Sequence, residues 1–257
     1  MTGGQPVRFV LFAAPRTGSN LLCGLLNGHP DILCHHGLFN PGGVHWARDR
    51  HGCGDIAARD KDPIAFLDAV WASGGDTRAI GFKMNRDENG VAVGALLRDR
   101  GVLKILLKRR NRVRTYVSEE IARLTGVWEI YDEAAETKIP ALRVEADDLL
   151  QHSYLNAAYY AALESALAAT GQGWLETDYE ALANPREVTR ILAFLGVEAS
   201  SALPAASYKR GPADLGAVVE NFDELAGALR GTALLEDLYL GDAPELRSHI
   251  FMPQEQH

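Results

Sequence analysis

At 257 residues, 47% of them hydrophobic and 23% charged, the chain has an ordinary globular composition and is long enough to bury a substantial core. Its 34 acidic against 26 basic side chains leave a net charge of −8, which argues against nucleic-acid binding through broad counterion release, so a polyanionic ligand must meet a local basic site. Cys23, Cys34 and Cys53 form no CxxC pair, no signal-like start precedes the first strand, and no apolar run reaches membrane-spanning length, so a soluble cytoplasmic protein without disulfide scaffold, zinc ribbon or membrane span is expected.

Val7 to Ala14 is a continuous apolar run, the pattern of a strand buried on both faces of a parallel sheet, and Ser19 to Asn27 follows with helical spacing at Leu21, Leu22, Leu25 and Leu26. Between them stands Pro15-Arg16-Thr17-Gly18-Ser19-Asn20. A strand that ends in a glycine-containing turn and opens into a helix aims backbone N–H groups and a positive dipole end at one point, which suits a phosphate or sulfate. The GxxxxGK pattern of a nucleoside-triphosphate loop is missing, and the cation stands at Arg16, before the glycine, which disfavours ATP or GTP. The plainer alternative is an ordinary turn in which Gly18 relieves strain and Ser19 caps the helix.

In "PDILCHHGLFNPGG" a brief strand is expected around Ile32 to Cys34, followed by an irregular loop. Asp62 to Ala72 has helical spacing, Thr77 to Met84 reads as a strand, Val91 to Arg100 as a helix and Val102 to Leu107 as a second strong strand. This alternation implies βαβ units, with Lys83 at the carboxyl end of a strand, where ligands of α/β folds gather; it reaches sulfate, acceptor or only solvent. Lys108, Arg109, Arg110, Arg112 and Arg114 then form a basic cluster at a strand mouth. Arg110 and Ser118, on a helix expected from Arg112 to Leu124, are spaced to surround one phosphate, whereas Arg112 and Arg114 read as a solvated helix face. A long helix over Ala146 to Thr170, a strand from Trp174 to Asp178, a helix from Pro185 to Gly196 and a helix from Phe222 to Leu229 complete the pattern. Before the last of these, Lys209, Arg210 and Gly211 in "SYKRGP" make a basic loop able to close over the same anion.

The "PRTGS" turn, the "RRNRVRTYVS" segment, the "YEALANPREVTRILAFLGVE" helix and the "YKRGP" loop, in that order, resemble the bacterial sulfotransferases that use 3′-phosphoadenosine 5′-phosphosulfate (PAPS). The resemblance implies one domain over 1–257, an α/β three-layer sandwich with a central, mostly parallel sheet like that of P-loop nucleotide-binding folds. It also implies PAPS as donor co-substrate, no metal, and a small-molecule or saccharide hydroxyl as acceptor. Arg16, Thr17, Gly18, Ser19 and Asn20 would hold the 5′-phosphosulfate. Arg110, Ser118, Lys209, Arg210 and Gly211 would hold the 3′-phosphate.

Sulfuryl transfer needs an in-line acceptor and a stabilised leaving oxygen, a role suited to Arg16 with the turn's N–H groups. It also needs a base. Related sequences commonly carry a Glu two residues before an aromatic in the loop after the second strand, and this chain has Gly37 there, before Phe39. His36 and His35 are the expected substitutes because an imidazole titrates near neutrality; His45 and Asp49 remain open, and Trp46, Trp128 and Tyr131 are candidate acceptor-pocket aromatics. The competing readings are a P-loop phosphotransferase and a nucleotide-binding protein without turnover.

Overall fold

The computed structural model describes residues 5–47, 55–128, 139–198 and 214–241. Five strands, β1 (Val7–Ala13), β2 (Ile32–Gly37), β3 (Ala79–Asn85), β4 (Val102–Lys108) and β5 (Leu175–Asp178), pair in the order β2-β3-β1-β4-β5, every pairing parallel. The apolar runs predicted as buried strands thus lie at the centre, with β1 between β3 and β4. Ala13 pairs with Asn85 and with Leu107, so the carboxyl ends of the three central strands are level and the segments that follow them converge on one edge.

Alternate residues of β1 serve opposite cores, as the two-residue period of a strand demands. Phe9, Leu11 and Ala13 pack against α1 (Ser19–Asn27) and α7 (Pro185–Phe194), through Leu22, Leu26, Ile191 and Leu192. Val10 and Phe12 pack against α3 (Pro63–Ala72), α4 (Gly90–Arg98) and α6 (Ala146–Ala169), through Phe66, Val70, Leu96 and Leu163. Helices therefore cover both faces of the sheet, in the expected three layers. A separate apolar cluster joins α5 (Arg112–Thr125) to α8 (Phe222–Ala228) and α9 (Leu234–Tyr239) through Val113, Val117, Leu225 and Leu238.

Helix starts follow local chemistry. Asp62 caps α3 ahead of Pro63, and Asn184 caps α7 ahead of Pro185. Three short elements were not expected from the sequence: α2 (Ile56–Lys61), a 3₁₀ turn over Tyr179–Ala183, and α9. Each is one or two turns long, too short for helical periodicity to register. The second strand also runs past Cys34 to Gly37 because β3 supplies partners that far.

Candidate active site

The turn that joins β1 to α1 is held by groups distant in sequence. Gly18 sits at φ +91°, the left-handed region open to glycine, and a Cβ there would lie 2.5 Å from Cδ2 of Tyr179. The hydroxyl of Thr17 donates to the Ala14 carbonyl at 2.7 Å. From α6, the Tyr160 hydroxyl accepts from the Ala14 N–H at 2.8 Å and donates to the Leu107 carbonyl at 2.5 Å, fastening the ends of β1 and β4 to each other. Nothing in the sequence singles out this tyrosine inside a long helix, yet it fixes the origin of the turn.

Arg16, also in left-handed backbone (φ 61°), turns its guanidinium toward α5. Its Nε donates to Ser118 Oγ at 2.9 Å and its Nη1 donates to the Trp128 carbonyl. Arg109 stacks on the Tyr179 ring, 4.6 Å from its centroid, and donates to the Arg16 carbonyl at 3.2 Å. The structure therefore joins Arg16 with Ser118, and Arg109 with the back of the turn. On the other flank, buried Lys83 donates from Nζ to Oδ1 of Asn20.

The basic cluster after β4 is largely met by carboxylates. Lys108 bonds Glu164 at 2.7 Å and Glu176 at 2.9 Å, and these acids, outweighing burial, hold its ammonium above the ordinary value. Arg110, 70% exposed, pairs with Asp178 at 3.2 Å and approaches Glu180 at 3.7 Å, so Ser118 bonds Arg16 and not Arg110 in this structure. Arg112 bonds Asp237 at 2.6 Å, and Arg114 is buried against the Leu240 carbonyl. The expectation of a solvated face for Arg112 and Arg114 is thus corrected: both secure α9 and the residue that follows it. Lys209, Arg210 and Gly211 lie outside the described residues, as do Asp49 and Tyr131.

A cleft of about 1090 Å³ opens at this edge of the sheet. It is lined by Arg16, Ser19, Asn20 and Lys83, by His36, His45, Trp46 and Trp128, and by Arg86 and Glu88 on the segment after β3. A register shift between His35 and Gly37 makes His36 the extra residue of a bulge, a device that re-aims a side chain at a sheet's rim. His36 lines the cleft. His35 does not: it is fully buried, its Nδ1 accepts from the Ala47 N–H at 3.1 Å, and its ring meets Trp46 edge-on at 4.9 Å. The loop that carries these groups is pinned by buried Arg59 of α2, which donates to the carbonyls of Leu38 and Asn40 at 3.1 and 2.7 Å.

Glu88 is a cleft carboxylate that no sequence motif marks. It accepts from the Asn85 N–H at 2.9 Å and from the Asn85 side-chain amide at 3.0 Å. Burial raises its pKa above the ordinary carboxylate value, outweighing the Asn85 hydrogen bonds and the opposing charges of Lys83 and Arg59.

No protein-family model matches the chain. It is 28% identical to Nodulation protein H of Rhizobium tropici over 246 residues, covering 93% of this chain and 96% of the relative. Solved structures similar to it are sulfotransferases. The sulfotransferase domain of the Synechococcus PCC 7002 olefin synthase has a TM-score of 0.44 and 19% identity, covering 93% of this chain and 94% of that one. Mouse sulfotransferase SULT7A1, complexed with PAP, has a TM-score of 0.42 and 15% identity; the match covers 75% of this chain and 59% of the mouse chain.

Proposed function

We propose that this chain, a sulfotransferase by its motifs and its similarities, moves a sulfuryl group from PAPS to a hydroxyl of a small-molecule or saccharide acceptor. The observation that carries the reading is the turn from Arg16 to Asn20, rigidly held at the end of the central strand and facing a cleft, with two cations, Arg16 and Lys83, on its flanks.

In this reading the backbone N–H groups from Thr17 to Asn20 and the first turn of α1 receive the 5′-phosphosulfate, and Arg16 neutralises charge on the leaving phosphate oxygen. Lys83 holds a sulfuryl oxygen. Ser118, with Arg110, Lys209, Arg210 and Gly211, receives the 3′-phosphate. Arg110 then exchanges its partners Asp178 and Glu180 for that phosphate. Burial, with the neighbouring charge of Glu180, already holds the Asp178 carboxyl above its ordinary pKa despite Arg110. The acceptor enters between Trp46 and Trp128, with His36 beside it. No metal is called for, and PAPS acts as a co-substrate.

Thermal unfolding with 3′-phosphoadenosine 5′-phosphate (PAP), beside adenosine 5′-phosphate and ATP, tests this. At ~100 times its dissociation constant a specific ligand adds roughly 2.7 kcal/mol of stability. Stabilisation by PAP well beyond that by the other two is expected. Equal stabilisation by ATP would favour a phosphotransferase, and binding of PAPS without turnover would favour a nucleotide-binding protein.

A further inference from the structure

The cleft contains a place where a strand side chain is missing. Gly37 ends β2 opposite Lys83 of β3, and a Cβ built on it would point between Lys83 Cε, 3.6 Å away, and Glu88 Oε1, 3.8 Å away. Asn40 Cβ would be nearer still, at 3.2 Å, and the Glu88 carboxylate, delivered from the segment after β3, borders the room that Gly37 leaves. Lys83 links this point to the anion-binding turn through Asn20. Glu88 beside Gly37, Lys83 opposite Gly37, and the turn bonded to Lys83 through Asn20 thus stand together in the lining of the cleft.

We propose that Glu88 is the catalytic base that takes the proton from the acceptor hydroxyl. Three features of the site support it. The carboxylate is aimed by two hydrogen bonds from Asn85, one to each oxygen, and each oxygen keeps a lone pair for a further donor. It lines the cleft together with Arg16, Ser19, Asn20 and Lys83, the residues assigned to the donor, so an acceptor bound there meets both. And its raised pKa makes it a better proton acceptor than an exposed glutamate. As the acceptor oxygen forms its bond to sulfur, its proton passes to a Glu88 oxygen. The bond between sulfur and the 5′-phosphate oxygen breaks, its electron pair staying on PAP, and Glu88 then returns the proton to solvent. His36 is left to contact the acceptor.

This inference rests on the sulfotransferase reading, and the test separates the two. The substitution Glu88→Gln keeps an oxygen for the Asn85 N–H, and the Asn85 side-chain amide, turned about, accepts from the new NH2, so the segment retains its fold. PAP stabilisation and the rate of PAP release from PAPS are measured for wild type and variant, with cellobiose, 4-nitrophenol or water as acceptor. The expected result is undiminished stabilisation by PAP and a loss of ~10²-fold or more in transfer to cellobiose and water. At a pH above the pKa of 4-nitrophenol, where that acceptor is already ionised, the loss is much smaller. A variant with wild-type rates, equal losses for all three acceptors, or losses that track weakened PAP binding would overturn the assignment. Wild-type protein that PAP does not stabilise would instead overturn the sulfotransferase reading, and with it this inference.

Discussion

Gly18 and Tyr179 meet so closely that the tyrosine ring fills the space a side chain at position 18 would need: a Cβ there would stand 2.5 Å from Cδ2 of the ring. The other face of this contact is Arg109, stacked on Tyr179 and bonded to the Arg16 carbonyl, so the ring clamps the turn between β1 and α1. Gly18→Ala meets two penalties. Left-handed backbone at φ +91° costs a non-glycine residue about 1–2 kcal/mol, and the forced shift of the ring adds about 1–3 kcal/mol. A lower unfolding midpoint in urea together with lost PAP stabilisation is expected. Unchanged stability would show that Tyr179 is not held where the contact requires.

Arg16 and Ser118 are joined across 102 positions of sequence by a 2.9 Å hydrogen bond. If Arg16 stabilises the leaving oxygen, Arg16→Ala lowers turnover by about 10²–10³-fold, the usual cost of removing one such donor. Ser118→Ala leaves the cation and its bond to the Trp128 carbonyl in place and removes one anchor, a loss of about 0.5–1.5 kcal/mol, roughly 2- to 13-fold in kcat/KM. Steady-state kinetics of the two variants, with equal losses or a reversed order, would deny Arg16 the larger role.

Arg110 is ion-paired with Asp178 and is 70% exposed, so in water that pair contributes little to stability. Arg110→Ala is therefore expected to leave the unfolding midpoint within about 0.5 kcal/mol of wild type. What it removes is the preference for a 3′-phosphate: stabilisation by PAP falls toward that by adenosine 5′-phosphate. A variant that still separates the two ligands as wild type does would assign the 3′-phosphate to other residues.

Much of this arrangement is legible in the sequence because it is local. The apolar run before Arg16, the glycine in the turn and the helical spacing after it state strand, turn and helix within about twenty residues. The central strands and long helices follow from the same periodicities. What is not legible depends on partners remote in sequence. The cations after β4 read as one basin, and their neutralisation by Glu164, Glu176, Asp178 and Asp237 emerges only when β5, α6 and α9 pack beside them. Adjacent His35 and His36 read alike, and a bulge in register with β3 sends them to different surroundings. Glu88 carries no motif; its importance appears only when β2 and β3 set it beside Gly37.

The two histidines give opposite predictions. His35→Ala empties a fully buried site and leaves the Ala47 N–H without its imidazole acceptor, a loss of about 2–4 kcal/mol in stability. His36→Ala, at the cleft wall, leaves stability near that of wild type and raises the KM for the acceptor more than it lowers kcat. A kcat loss of ~10²-fold for His36→Ala, alongside a silent Glu88→Gln, would hand the base role to His36.

Acid sensitivity should reside partly in Glu119 of α5, whose Oε2 lies 3.1 Å from Nε2 of His152 on α6. Burial pushes the Glu119 carboxyl up, but the hydrogen bond and charge of His152, with Arg86 and Arg123, outweigh it and hold the carboxyl below its ordinary value. A carboxylate depressed in the folded state binds fewer protons there than in the unfolded chain. Its stabilisation is complete above the unfolded pKa, about 4.3, and is lost as pH falls through the lower folded value. Glu119→Gln is therefore expected to destabilise the protein at neutral pH and to lose that difference progressively below about pH 4. Urea unfolding of both proteins across this range checks it. A gap that stays constant with pH would mean that Glu119 contributes through packing and neutral hydrogen bonding, with its charge playing no part.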